Sequence, residues 1–392
     1  MAFPTTCTIP KKVEQMPITH DYVAAPFAEV GRLFGSFAEP GYEAQLAIFV
    51  RGELVVDLAA GLDPDALMTV YSSTKGLAAI AFGLLVDRGQ LDLNAAVADY
   101  WPEFGQAGKD QVAVRELLSH QAGLPEVDGR VPTDAWLDDH RAAGLLAEQL
   151  PFWRPGAAFG YHAVSIGSLM SELCFRITGS TLQCFYEQEV RIPADADAYL
   201  GLPKELESRV VELLPMLEPT PDETAEFAAE LTVKRGPYGP QVFSESVRDV
   251  FASPAGRAFG HPAGGGVTSA RGLSKVYQWA TGFGGPAGGV TSATLRAFAQ
   301  TQVAGYDLVL DQAYRSHGLV FQKPTPAMLY GSYRAFGHDG AGGAMAFADP
   351  IHEICLGYTV RRVPFPGGMD RRLIPIIEAV HRASAECRLE PQ

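Results

Sequence analysis

The residues Ser72-Ser73-Thr74-Lys75 combine a hydroxyl and an amine at a spacing that chemistry can use. Residues three apart on a helix share a face, so the Lys75 amine comes within reach of the Ser72 hydroxyl. A serine hydroxyl is a poor nucleophile unaided, and acyl transfer needs a proton acceptor beside it and donors for the oxyanion that forms. The N-terminus of a helix offers backbone N–H groups for the second task. Taken alone, the tetrapeptide is also compatible with a helix cap followed by a solvated lysine. Its position argues for more: a β-prone region gives way there to an apolar helix, a costly place for a lysine without a partner.

Three further segments join it in order: Leu117-Leu118-Ser119-His120-Gln121-Ala122-Gly123-Leu124, then Pro155-Gly156-x-x-Phe159-x-Tyr161-His162-Ala163, then Phe336-Gly337-His338-Asp339-Gly340-Ala341-Gly342-Gly343. With Ser72-x-x-Lys75 they resemble the serine β-lactamase and penicillin-binding-protein superfamily, most closely its class C-like esterases, the family VIII carboxylesterases. The resemblance covers roughly residues 25 to 385 and is thin between 195 and 250. It implies that Tyr161 stands beside Ser72 and shares proton transfer with Lys75. A phenol ionises near pH 10, so Tyr161 can act as a base only with a cation such as Lys75 nearby. Which of the two is the base stays open at this level. The third motif, usually Lys-Thr-Gly, falls on His338-Asp339-Gly340. The alignment assigns the oxyanion hole to the backbone N–H groups of Ser72 and Ala341, and gives Gly340 the role of letting substrate approach the backbone.

Two departures bear on substrate. Ala163 replaces the asparagine of Tyr-x-Asn and removes an amide that would bond an acylamino group. His338 replaces a lysine and is largely neutral near pH 7, which weakens attraction for a carboxylate. Both changes disfavour penicillins and D-Ala-D-Ala peptides and favour small, uncharged esters, the class the resemblance also implies. His338 is read as bonding substrate or the Tyr161 region, or as a structural histidine. Phe152 and Trp153 line the pocket or pack in the core. The alternatives are an amide hydrolase or D-peptidase, an acyltransferase, a weak β-lactamase, or a catalytically dead relative. The G-x-S-x-G elbow of α/β-hydrolases is missing, and Gly264-Gly265-Gly266 has neither nucleotide-binding pattern, reading instead as a turn near the cleft.

The elements that must position these residues follow from periodicity. Gln45 to Val50 and Glu53 to Leu58 are β-prone runs joined by Arg51-Gly52, a hairpin signature. Ser73 to Arg88 reads as a helix ending at Gly89. Helical spacing recurs over Val112 to Leu118, Thr133 to Gln149 and Ser165 to Thr178. Strand patterns return at Gly342 to Ala348 and Glu353 to Val360, before a helix over Arg371 to Glu386. The expected fold is therefore α/β with a mainly α-helical inserted domain, and the resemblance implies that it is class C β-lactamase-like, an antiparallel sheet flanked by helices. The sheet domain takes 1–91 and 251–392; the helical part takes 92–250, with a cover or surface excursion near 195–240.

Composition narrows the partners. Lys plus Arg number 31 against 45 Asp plus Glu, a formal charge of -14 that repels nucleic acid and anionic membranes. The first residues, MAFPTTCTIPKKVEQ, lack a signal-peptide pattern, which reads as a cytoplasmic protein. The apolar run Leu77 to Val86 is about half a membrane span. Five scattered cysteines suggest reduced thiols. No metal and no cofactor is expected; the partner is a small-molecule ester.

Overall fold

The computed structural model describes residues 17–38, 41–128, 132–225, 245–285, 288–310, 312–326 and 328–387. Its largest sheet is antiparallel, with strands in the order Ile18–Val23, Glu53–Ala60, Ala44–Val50, Ile354–Val360, Met345–Asp349 and Phe336–Asp339. Chain ends thus meet at the sheet centre, where Ile48 pairs with Leu356 and Ala44 with Val360. The hairpin at Arg51-Gly52 turns with φ of 51° and 86°, the doubly left-handed geometry that matches strand twist.

Both faces of this sheet are buried. Helices Ala28–Ser36 and Leu373–Glu386 cover one face, with Phe34, Ile376 and Val380 packed on Leu46, Leu356 and Tyr358. Helix Ala270–Thr281 covers the other, and a second core continues from it through helix Thr74–Asp87 to Trp101, Leu146 and Leu169. The helix Thr74–Asp87 is buried from Thr74 to Leu85, which explains a sequence apolar all round rather than on one stripe. Gly89, at φ 67°, ends it as expected.

Local differences have local causes. Ser72 sits not on the α-helix but in the 3-10 turn Tyr71–Ser73 that leads into it. The helix expected from Val112 starts at Val114. The strand expected from Gly342 starts at Met345, because Gly340 and Gly343 close a tight turn through a 2.9 Å backbone bond. The weakly periodic stretch after residue 195 enters the fold at once. Ala198–Tyr199 pairs with Val267–Thr268 in a small sheet that also holds Met68–Thr69, immediately before the 3-10 turn. Val210 and Leu214 then bridge to Leu67 and Arg362. Residues 226–244 of that stretch lie outside the described residues.

Candidate active site

Three elements converge on Ser72: the 3-10 turn that carries it, the loop at Tyr161, and the edge strand Phe336–Asp339. Tyr71, just before the nucleophile, is held at φ 43°, a left-handed conformation that costs a non-glycine residue roughly 1–2 kcal/mol. Its ring lies against Gly342, so the turn after the edge strand abuts the nucleophile turn.

Lys75 Nζ lies 3.1 Å from Ser72 Oγ, 2.7 Å from the Ala163 carbonyl oxygen and 2.8 Å from that of Ala263. The side chain is 0% exposed, and burial pushes its pKa well below the usual lysine value, opposed only by the charge of Asp339. Both carbonyls are acceptors only. A neutral amine spends its two N–H bonds on them and turns its lone pair towards Ser72. Ala163 therefore contributes its backbone, where the sequence drew attention to the amide its side chain lacks. Ala263 opens the glycine-rich stretch read as a turn near the cleft; Gly266 also accepts from Val70 N–H at 3.0 Å and donates to Thr74 Oγ1 at 2.9 Å, securing the nucleophile turn.

Tyr161 is buried, and burial raises its pKa above the usual phenol value while a hydrogen bond with Ser72 opposes the rise. Lys75 Nζ lies 4.9 Å from the centre of its ring. The loop is fixed by Asp307, whose two carboxylate oxygens each accept from Tyr161 N–H at 3.1 Å and one of which also holds the Val309 and Leu310 N–H groups.

His338 is buried and faces Tyr161. Its Nδ1 lies 2.7 Å from the Asp339 carbonyl, which can only accept, so Nδ1 carries the proton. Burial pushes its pKa well down, leaving a neutral ring whose Nε2 lone pair lies 3.5 Å from the Tyr161 hydroxyl. His317 stacks on Tyr161, ring centres 6.0 Å apart and 14° from parallel; neither of its nitrogens has a hydrogen-bond partner among the described residues. His120 meets both rings edge-on, 5.3 Å from Tyr161 and 4.9 Å from His317. Asp307 and His317 belong to no motif and escaped sequence reasoning.

Other expected contacts fall differently. A methyl group at Gly340 would meet the Val70 carbonyl oxygen at 2.1 Å, so the space that glycine leaves admits the protein's own backbone, not substrate. Trp153 donates to the Ala158 carbonyl at 3.1 Å and packs on His162, 5.8 Å away and 87° from parallel, which places it behind the Tyr161 loop. Phe152 N–H donates to the Gly123 carbonyl at 2.8 Å, and its side chain is half-buried. Ala341 is exposed at the tip of the turn beyond the edge strand.

A family model for beta-lactamases matches residues 36–380. The chain belongs to the beta-lactamase family. It is 30% identical to the esterase/beta-lactamase LipL of Mycobacterium tuberculosis (strain ATCC 25618 / H37Rv), over 91% of this chain and 85% of that protein. Among solved structures, EstA from Arthrobacter nitroguajacolicus Rue61a superposes with a TM-score of 0.83 at 39% identity, covering 94% of this chain and 100% of that one. A family VIII carboxylesterase superposes at 0.82 with 32% identity, again over 94% and 100%. The beta-lactamase-like fold and membership of the serine hydrolases follow. No helix among the described residues is long and apolar enough to cross a membrane.

Proposed function

We propose that this serine hydrolase is a carboxylesterase acting on small, uncharged esters through an acyl-enzyme at Ser72. The observation that carries the reading is the buried Lys75 amine, with two carbonyls taking its N–H bonds and its remaining valence directed at Ser72. Lys75, depressed by burial, is the base, and Tyr161, raised by burial, remains a phenol that relays protons. This assigns the roles that the sequence left open.

In the first half-reaction Lys75 takes the Ser72 proton as Oγ bonds to the ester carbonyl carbon. Charge on the carbonyl oxygen is met by the Ser72 and Ala341 backbone N–H groups. Collapse breaks the bond to the alcohol oxygen, which receives the Tyr161 proton while Lys75 returns its own to Tyr161. Water then attacks the acyl carbon, giving up its proton by the same route, and Ser72 leaves with that proton as the acid is released.

Two features favour esters over β-lactams. Ala163 offers no side-chain amide to an acylamino group, and His338 is neutral and turned to Tyr161 rather than to a substrate carboxylate. The names of the similar proteins, a carboxylesterase and an esterase/beta-lactamase, support the same class. Turnover of p-nitrophenyl acetate, butyrate and octanoate beside nitrocefin, with wild type and Ser72→Ala, tests it. Ester cleavage lost in Ser72→Ala, with little nitrocefin turnover, is expected; dominant nitrocefin turnover would make the protein a β-lactamase.

A further inference from the structure

A cavity of about 640 Å³ opens between helix Ser292–Ala299, the end of helix Ala270–Thr281 and the segment 333–336. It shares no residue with the nucleophile or its proton-transfer partners; Phe336, in its wall, stands at the far end of the edge strand from His338 and Asp339. In a chain of formal charge -14, the lining includes Arg296, Lys323 and Arg334, and none of its described residues is acidic.

Lys323 is the informative member. It is 4% exposed, and among the described residues its ammonium donates to one neutral partner, the Ala335 carbonyl at 2.6 Å, so that two N–H bonds have no partner there. The carboxylate whose charge acts on it, Asp349, is committed elsewhere: it accepts from Ser332 N–H at 2.7 Å, Ser332 Oγ at 2.6 Å and Ile351 N–H at 2.9 Å, and His352 Nδ1 lies 2.9 Å from it. Arg296 is exposed with no ion pair among the described residues, and Arg334 rests on the Tyr333 ring, 5.5 Å from its centre. A buried cation without an anion is costly. Phe283, Leu295 and Phe336 add apolar side chains to the same lining.

We infer that this cavity is a second binding site, for a small carboxylate with an apolar tail, whose head group is held by Lys323, Arg296 and Arg334 and whose tail lies along Leu295 and Phe336. Two cation types and an aromatic wall suit an amphiphilic anion better than a bare one.

Calorimetric titration of octanoate into the full chain tests the assignment. One saturable site is expected, weakened about tenfold in the exposed-residue variant Arg296→Ala/Arg334→Ala. That variant leaves the catalytic cleft intact, so p-nitrophenyl butyrate turnover should be unchanged, and loss of octanoate binding then assigns it to this cavity. Lys323→Met, if it folds, should weaken binding further. Octanol should not bind, and inorganic phosphate should not displace octanoate. Equal affinity for octanoate in the double-arginine variant, equal binding of octanol, or displacement by phosphate would each overturn the proposal.

Discussion

Replacing Lys75 by methionine separates two consequences of burying an amine. Turnover should fall by about 10²–10⁴-fold, the usual worth of a positioned base. Stability should respond to pH with a definite sign. The folded pKa is depressed, so between it and the unfolded value near 10.4 the unfolded chain holds a proton that the folded chain has shed. Within that window the wild type gains stability over Lys75→Met as pH rises, by about 1.4 kcal/mol per unit. Denaturation midpoints of both proteins at pH 7 and 9 check this; a difference that does not change would return Lys75 to an ammonium. The same depression predicts that kcat/KM rises with pH through a single limb well below the ordinary lysine range. His317 makes the opposite case. Its ring contributes shape against Tyr161 while both nitrogens go unbonded among the described residues, so His317→Phe should keep turnover within about threefold and leave stability unchanged or raised. A large loss of kcat with an unchanged fold would give the imidazole a chemical role. At this scale Ser72, Lys75 and Tyr161 were legible because their motifs are local. Asp307 was not: it reaches Tyr161 from 146 residues away through a backbone N–H. The carbonyls of Ala163 and Ala263 were hidden for a similar reason, since a residue's identity says nothing about where its carbonyl points.

The elements were legible where periodicity was strong. The hairpin at Arg51-Gly52 and the helix Ser165–Thr178 appear as the pattern suggests, the latter closed by Gly179 at φ 74°. Boundaries failed where a turn interrupts an apolar run, as at Gly340 to Gly343. The short strands Met68–Thr69, Ala198–Tyr199 and Val267–Thr268 were invisible, because two residues cannot establish a period. Yet this small sheet, with the bonds of Val70, aims the nucleophile turn. Gly340 links it to the edge strand, and Gly340→Ala tests how closely the two must approach. The new methyl would sit 2.1 Å from the Val70 oxygen, so strand or turn must move. A displacement near 1 Å is enough to lower kcat about 10²-fold, while overpacking costs about 1–3 kcal/mol. Ester turnover and a denaturation midpoint, measured together, decide it; a folded Gly340→Ala enzyme with full kcat would show that the contact gives way without disturbing Ser72.

At the scale of the whole molecule, the question is whether the sheet and the helical middle unfold as one. The chain's two ends build the sheet, and the intervening residues supply Tyr161, so the site exists only while both parts are in place. One hydrophobic cluster crosses between them, running from Ala346 and Cys355 on the sheet through Leu77 and Phe82 to Trp101, Leu146 and Leu173. A core continuous in this way favours a single cooperative transition. Leu356 is the place to perturb it: fully buried on the central strand, paired with Ile48 on one side and Phe347 on the other, and packed in the opposite cluster from the tryptophans. Leu356→Ala should cost about 2–5 kcal/mol. In a Trp279→Phe background, which removes the one tryptophan on the helix covering the sheet, Trp101, Trp136 and Trp153 report on the helical middle, remote in sequence from the mutation, while ester turnover reports on the assembled site. In urea, both signals should shift to the same lower midpoint in the variant. If turnover disappears first while tryptophan fluorescence keeps its wild-type midpoint, the helical middle folds independently and the shared cluster does not couple it to the sheet.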